Sequence, residues 1–340
     1  MKIALFSRDI FSTEVFAPVP RLRLIDPLRL LGHELDFGFI GKYNGPAVYY
    51  PHVIAWADVI VVQRNFPGPD VEPICADILA SGKPTVYETD DILWAVDHSV
   101  FQPFEPYIKK FAAAARLVTV SSAKLAEEFS VFNRRITVLP NYLNAQLWAA
   151  HVVDPRSRSA RRVRIGYAGS ELHRDDITAP WNVLAAIADK YAQVDLCFLG
   201  CRPEAMEGLP RASFHPGNYD YAQFPQRLAE LQLDIGLAPL LPTRLNRCRS
   251  PIKFFDYALV GAACVASSDS PFDAVMRNGD TGYLCATPTQ WFEALCALIE
   301  NPRRRRSMAL AAQAEVLRHW MLADHLHLWE AAYQSVLARS

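Results

Sequence analysis

Along this chain, short apolar runs alternate with stretches of helical period. In the first half, the runs at 3–6, 34–39, 59–63, 85–88, 117–120 and 136–139 read as strands, with helical patterns at 21–31, 71–80, 106–115 and 123–129 between them. Short, continuously apolar strands flanked by helices mark a parallel sheet covered on both faces. Ser81-Gly82 followed by Pro84 supplies a helix stop, and Ser121-Ser122 a cap for the next helix. The segment 151–162 interrupts the alternation with arginines, serines and a proline and reads as a linker. The pattern then restarts, with strands at 163–167, 194–199, 212–214, 235–238, 263–266 and 282–285 and helices at 178–190, 221–230, 251–260, 271–277, 289–299 and 302–317. A last helical segment, 322–337, is rich in Trp, His and Tyr. The expected architecture is α/β, with two Rossmann-like, doubly wound domains facing across a cleft. They span 1–150 and 163–320, with the linker at 151–162 between them and a closing helix at 321–340.

In such a pair, strand carboxyl ends and helix amino ends open toward a shared crevice. The loops that follow strands are therefore where chemistry is sought. The most informative segment runs from Arg247 to Gly261. Ser250 is a candidate N-cap and Pro251 suits the first helical position. The free N–H groups there favour a phosphate, and Arg249 and Lys253 add positive charge at the same end. Asp256, three residues after Lys253, shares its helical face and can accept hydrogen bonds from ribose hydroxyls.

A second segment, 165–176, places Gly169 and Ser170 directly after a strand, where small residues let backbone approach a diphosphate. His173 and Arg174 follow, as candidates to stabilise charge developing on a leaving diphosphate. This is not GxGxxG, so the dinucleotide-oxidoreductase fingerprint is missing. A third segment ends a first-domain strand with Tyr87-Glu88-Thr89-Asp90-Asp91. Asp90 and Asp91 can position or deprotonate an acceptor hydroxyl, hold a hard cation, or simply cap a helix. Arg21 and Arg23 are further candidates to face the cleft. The arginine run at 303–306 is a solvated face or a contact for anionic lipid.

Composition narrows the class. With 35 basic and 36 acidic residues the net charge is −1, which argues against a nucleic-acid-binding protein. Apolar residues make up 51% of the 340, enough for sizeable cores. Seven scattered cysteines without a CxxC pair suit reduced thiols in a cytoplasmic protein and supply no zinc set. No apolar stretch approaches the length of a membrane span, so membrane contact is expected to be peripheral only.

These residues resemble the GT-B glycosyltransferases, specifically the bacterial family 4-like group found in cell-surface polysaccharide assembly. The resemblance covers nearly the whole chain. It rests on Tyr87 to Asp91, on Gly166 to Ser170 with His173, and on Ser250 to Tyr257 with Gly261. It implies transfer of a sugar from a nucleotide-diphosphate sugar to a glycan or lipid-linked acceptor. It implies retention, no metal or resident cofactor, and a donor held by the second domain, with the final helix crossing back onto the first. In this scheme His173, Asp90, Asp91 and Lys253 serve catalysis. Gly169, Ser170, Arg174, Arg249, Ser250, Lys253 and Asp256 bind the donor. Many relatives carry two glutamates eight positions apart; Asp256 matches the later one, and Cys248 stands where the earlier, sugar-contacting one is expected. Rival readings are a nucleotide-sugar 2-epimerase and a catalytically silent binding module.

Overall fold

The computed structural model describes residues 1–42, 45–95, 100–157, 162–171, 174–218 and 220–338. The first sheet holds β1 (Lys2–Phe6), β2 (Glu34–Ile40), β3 (Val48–Tyr49), β4 (Val59–Gln63), β5 (Thr85–Thr89), β6 (Leu117–Val120) and β7 (Ile136–Val138), in the order β3-β2-β1-β4-β5-β6-β7. All of its pairs are parallel except β2 with β3. The second holds β8 (Val163–Ala168), β9 (Val194–Leu199), β10 (Ala212–His215), β11 (Ile235–Ala238), β12 (Ala263–Ser267) and β13 (Gly282–Cys285), in the order β10-β9-β8-β11-β12-β13, all parallel. Strand order reverses at β1/β4 in one sheet and at β8/β11 in the other. Beyond the carboxyl ends of those strands lie the crevices where doubly wound sheets bind ligands.

The central strands are apolar on both faces because helices cover both. All five residues of β4 and all four of β11 are buried. Gly166 and Gly236, paired across β8 and β11, are required by close packing: a Cβ on Gly236 would stand 2.3 Å from the Tyr257 ring, and one on Gly166 2.4 Å from Leu233.

Several expected elements are corrected. The helix expected at 178–190 is two, Arg174–Thr178 and Trp181–Lys190, because Pro180 lacks the N–H that would continue it. The helix expected at 271–277 is a single tight turn, Pro271–Ala274, closed by a capping box between Ser270 and Asp273. The pattern at 21–31 contains a π-helical turn, Arg21–Ile25, between Pro18–Pro20 and Asp26–Leu30. The basic stretch 244–249, to which the alternation assigns no element, begins with a short helix, Arg244–Cys248, capped by Thr243.

The closing helix, Leu326–Leu337, lies on the first sheet. Its Trp329, Tyr333 and Val336 are buried in one core with Ile3, Leu5, Val61 and Leu117, and the Trp329 indole N–H donates to the Arg23 carbonyl at 2.8 Å. The crossing chain pairs with the other crossover: Leu143 N–H donates to the Trp320 carbonyl and Leu322 N–H to the Leu143 carbonyl. No helix among the described residues is long and apolar enough to cross a membrane.

Candidate functional site

The two sheets bring their switch points into one gap. On the second lobe the Tyr257 hydroxyl spans the reversal, accepting from the Ala168 N–H at 3.0 Å and donating to the Leu237 carbonyl at 2.9 Å. Tyr257 belongs to the Ile252–Leu259 helix, which is thereby pinned across the ends of β8 and β11. From the same helix, Lys253 Nζ donates to the Ala168 carbonyl at 2.6 Å and lies 4.8 Å from the Tyr167 ring centroid. Burial brings its pKa down to about 8, against the opposing attraction of Asp256.

Asp256 sits one turn on, 6% exposed, and its Oδ1 has no hydrogen-bond partner. Burial raises its pKa to about 8, with Lys253 acting against the shift. A buried carboxylate oxygen left without a donor is costly unless a ligand supplies one. Ser250 corrects the expected cap. The helix begins at Ile252 with Pro251 at its N-cap and no side-chain cap bond, and the Ser250 hydroxyl oxygen is itself buried without a partner. Two oxygens, Ser250 Oγ and Asp256 Oδ1, thus flank Lys253 with unused bonding capacity.

Arg249 shows which way this helix start points. Its Nη1 donates to Asp176 Oδ2 at 3.0 Å, within its own lobe, while its Nε stands 3.8 Å from Asp91 Oδ2 of the facing lobe. The helix start therefore opens on the gap. Asp176 is held in turn by the Leu241 N–H at 2.9 Å and the Asn246 amide at 2.6 Å. Burial raises the Asp91 pKa to about 6; Arg249 opposes the shift and Asp90 adds to it.

The acidic cluster divides. Asp90 faces Arg64, whose Nε is 3.3 Å from Asp90 Oδ1 and whose Nη1 is 3.2 Å from Asp9 Oδ2. Arg64 follows β4 in a left-handed conformation, φ 52°, which only surrounding structure can impose on a non-glycine residue. Its N–H donates to the Glu88 carbonyl and its own carbonyl accepts from the Tyr87 hydroxyl. Glu88, by contrast, turns into the first lobe. It pairs with Arg23 and accepts from the Gln63 amide at 2.6 Å, and Arg23 also donates to the Leu139 carbonyl and Asn141. Arg23 is thus a core residue and not a cleft residue. Among the described residues no group of three His, Cys, Asp or Glu stands ready to hold a metal.

Three glycines converge at the carboxyl ends of β8, β9 and β10. Gly200 has φ +87°, and a Cβ on it would stand 2.6 Å from the Gly169 carbonyl oxygen; Gly217 lies against the same turn. Ser170 beside them is exposed. Arg174 is directed to Glu171, with Nε 2.8 Å from Oε2, and is largely exposed, so it does not join Lys253 and Arg249. His173 lies outside the described residues.

Cys248 is turned away from the gap. It is buried in the first lobe's core with Leu245, beside Leu125 and Phe129, and its carbonyl accepts from Ser122 at 2.6 Å. Burial pushes its thiol up to about 12. The Arg244–Cys248 helix is thereby fastened to the facing lobe, with Arg244 paired to Glu128. At the other end of the gap the Tyr221 N–H donates to the Phe16 carbonyl at 3.0 Å.

Sequence reasoning did not single out Asp176, Arg64 or Asp9. Arg64 and Asp9 both follow strands ending at a switch point, the signal that should have found them; Asp176 lies within the glycine segment itself, two residues past Arg174.

No protein-family model matches the chain, and no curated protein does. Solved structures do. Sucrose-phosphate synthase from Thermosynechococcus elongatus superposes with a TM-score of 0.68 at 12% identity over 100% of both chains. Anabaena HepE, solved in complex with UDP and glucose, gives 0.68 at 15% identity over 98% of this chain and 100% of its own. A glycosyltransferase from Rickettsia africae gives 0.66 at 13% identity over 100% and 99%. The fold is that of the GT-B glycosyltransferases.

Proposed function

We propose that the chain transfers a sugar from a nucleoside-diphosphate sugar to an acceptor bound in the gap. The observation that carries this reading is the face made by Ser250, Lys253 and Asp256 beyond the β8/β11 reversal. It offers a cation to a diphosphate and two buried oxygens without partners to hydroxyls or phosphate. Donor binding in this scheme transfers Lys253 from the Ala168 carbonyl to phosphate and supplies ribose hydroxyls to Asp256. Arg249 and Lys253 then stabilise charge that builds on the departing diphosphate. Asp90, held by Arg64, and Asp91, held by Arg249, orient the acceptor hydroxyl from the other lobe. Gly169 and Gly200 keep the loop backbone low enough for phosphate to approach. His173, which lies outside the described residues, is assigned to the same phosphates by the resemblance alone.

The finer features follow the resemblance. They are a donor domain at 163–320 and an acceptor domain at 1–150, retention without a metal or resident cofactor, and a glycan or lipid-linked acceptor. Cell-surface polysaccharide assembly in the cytoplasm, at or near the inner face of the membrane, completes the reading. The neighbours lend weight to a nucleotide-sugar donor, since HepE was solved with UDP-glucose. Cys248 favours a second reading, a silent binding module, because the position expected to contact the donor sugar faces the opposite core.

A screen of UDP-, GDP- and dTDP-sugars, with nucleoside diphosphate release as readout, separates the two. Release with any donor supports transferase chemistry. Binding of nucleoside diphosphate without release supports the silent module. Neither binding nor release removes the donor-site reading.

A further inference from the structure

A second group of cations lies at the other end of the first sheet, where β6 and β7 begin. Arg116 precedes β6, and Arg134 and Arg135 precede β7. A half-open groove of about 450 Å³ is lined by these three arginines and by the last turn of the closing helix at Ser335, Val336 and Ala338. The strands are parallel and Val118 pairs with Ile136, so the register continued two residues back sets Arg116 opposite Arg134. Like charges facing each other across neighbouring strands repel.

These three arginines line one groove and no carboxylate among the described residues neutralises them. Arg8, Arg23, Arg64, Arg162, Arg244, Arg249 and Arg277 each stand within ion-pair distance of a carboxylate. Among the described residues the guanidinium groups of Arg116, Arg134 and Arg135 make neither hydrogen bond nor ion pair. Three planar, permanently charged forks in one groove match phosphate oxygens, which accept two parallel N–H bonds from a single guanidinium. The volume lies within the range of small-molecule sites.

We propose that this groove is an anion site for a ligand carrying a phosphoryl group, separate from the cleft. The same chemistry comes from a soluble phosphorylated molecule or from the headgroup of an anionic phospholipid. The competing role for the arginines is to neutralise the carbonyl end of the closing helix.

The test uses the full chain in a Lys253→Ala background, which removes the cleft lysine and leaves Arg249 the same in every protein compared, with and without Arg134→Gln/Arg135→Gln. Each protein is titrated with inorganic pyrophosphate by calorimetry at low ionic strength. Each is also sedimented with phosphatidylglycerol vesicles and with phosphatidylcholine vesicles. Pyrophosphate binding is expected to weaken by about tenfold or more when the two arginines are replaced, the effect of losing a charge-assisted hydrogen bond. Arg134→Lys/Arg135→Lys, which keeps the charge and the fold but not the fork, is expected to bind with intermediate affinity. Co-sedimentation with phosphatidylglycerol alone, lost in the Gln variant, identifies a lipid headgroup. Pyrophosphate binding without co-sedimentation identifies a soluble ligand. The proposal is overturned if the titrations superimpose with and without the arginines. It is equally overturned if pyrophosphate does not bind and the only effect of the Gln variant is a lower melting temperature.

Discussion

Arg249 of the second lobe stands 3.8 Å from Asp91 of the first, and that contact links the start of the Ile252–Leu259 helix to the acidic turn after β5. Asp91 is the less comfortable partner: burial and the neighbouring Asp90 outweigh Arg249, and its pKa rises to about 6 from an ordinary 3.8. A carboxyl with a raised folded pKa binds more protons in the folded state than unfolded between those two values. Its contribution to stability therefore falls as pH rises from about 4 to about 6. Comparing melting temperatures across that window, the drop is expected to be larger for wild type than for Asp91→Asn. Parallel curves would mean that Asp91 is not under this strain.

Asp256 carries the same sign over a wider window, with a pKa of about 8. Its ionised form is opposed by burial, so Asp256→Asn is expected to leave the melting temperature at pH 8.5 unchanged or raised. At pH 8.5, above that pKa, the same substitution is expected to weaken UDP binding by about 1.5–3 kcal/mol, since an ionised acceptor for ribose hydroxyls is lost. Thermal melts and calorimetry on one preparation check both halves.

Replacing Cys248 with the glutamate that the resemblance leads one to expect at this position is expected not to create a sugar contact. The side chain would enter the core beside Leu125 and Phe129. An unpaired carboxyl there costs several kcal/mol, about 3–5 if it stays charged. Cys248→Glu should lower stability by that order in denaturant titration and leave donor turnover no higher than wild type.

Trp329 joins the closing helix to the first lobe through a buried ring and a 2.8 Å bond to the Arg23 carbonyl. Trp329→Ala is expected to cost about 3–5 kcal/mol. Hydrogen exchange should show the loss at β1 and β4, whose residues share that core, and leave the β8–β13 sheet protected.

The parallel strands were legible because burial on both faces forces continuous apolar runs, as in Val59–Gln63 and Ile235–Ala238. The two-residue edge strand Val48–Tyr49 was not, since it carries too few positions to show a period. The Arg244–Cys248 helix escaped notice for a related reason: five residues make no pattern, and docking on the facing lobe holds them. Lys253 and Asp256 could be found because helical spacing ties them to one face. The Arg23–Glu88 pair spans 65 residues of chain, and nothing local in either residue marks Glu88 as turned inward while Asp90 and Asp91 face the gap. Ser250 shows the limit at a helix end, where a residue type suited to capping instead keeps its hydroxyl unpaired just before the Ile252–Leu259 helix.

The central claim is that a diphosphate binds where the Ile252–Leu259 helix meets the gap, with Lys253 as its cation. Calorimetric titration of UDP, GDP and dTDP into wild type and Lys253→Ala tests it most directly. The account predicts binding of at least one nucleotide by wild type, weakened about tenfold to a hundredfold in the variant. Equal affinity in the two proteins, or no binding of any of the three, would contradict it.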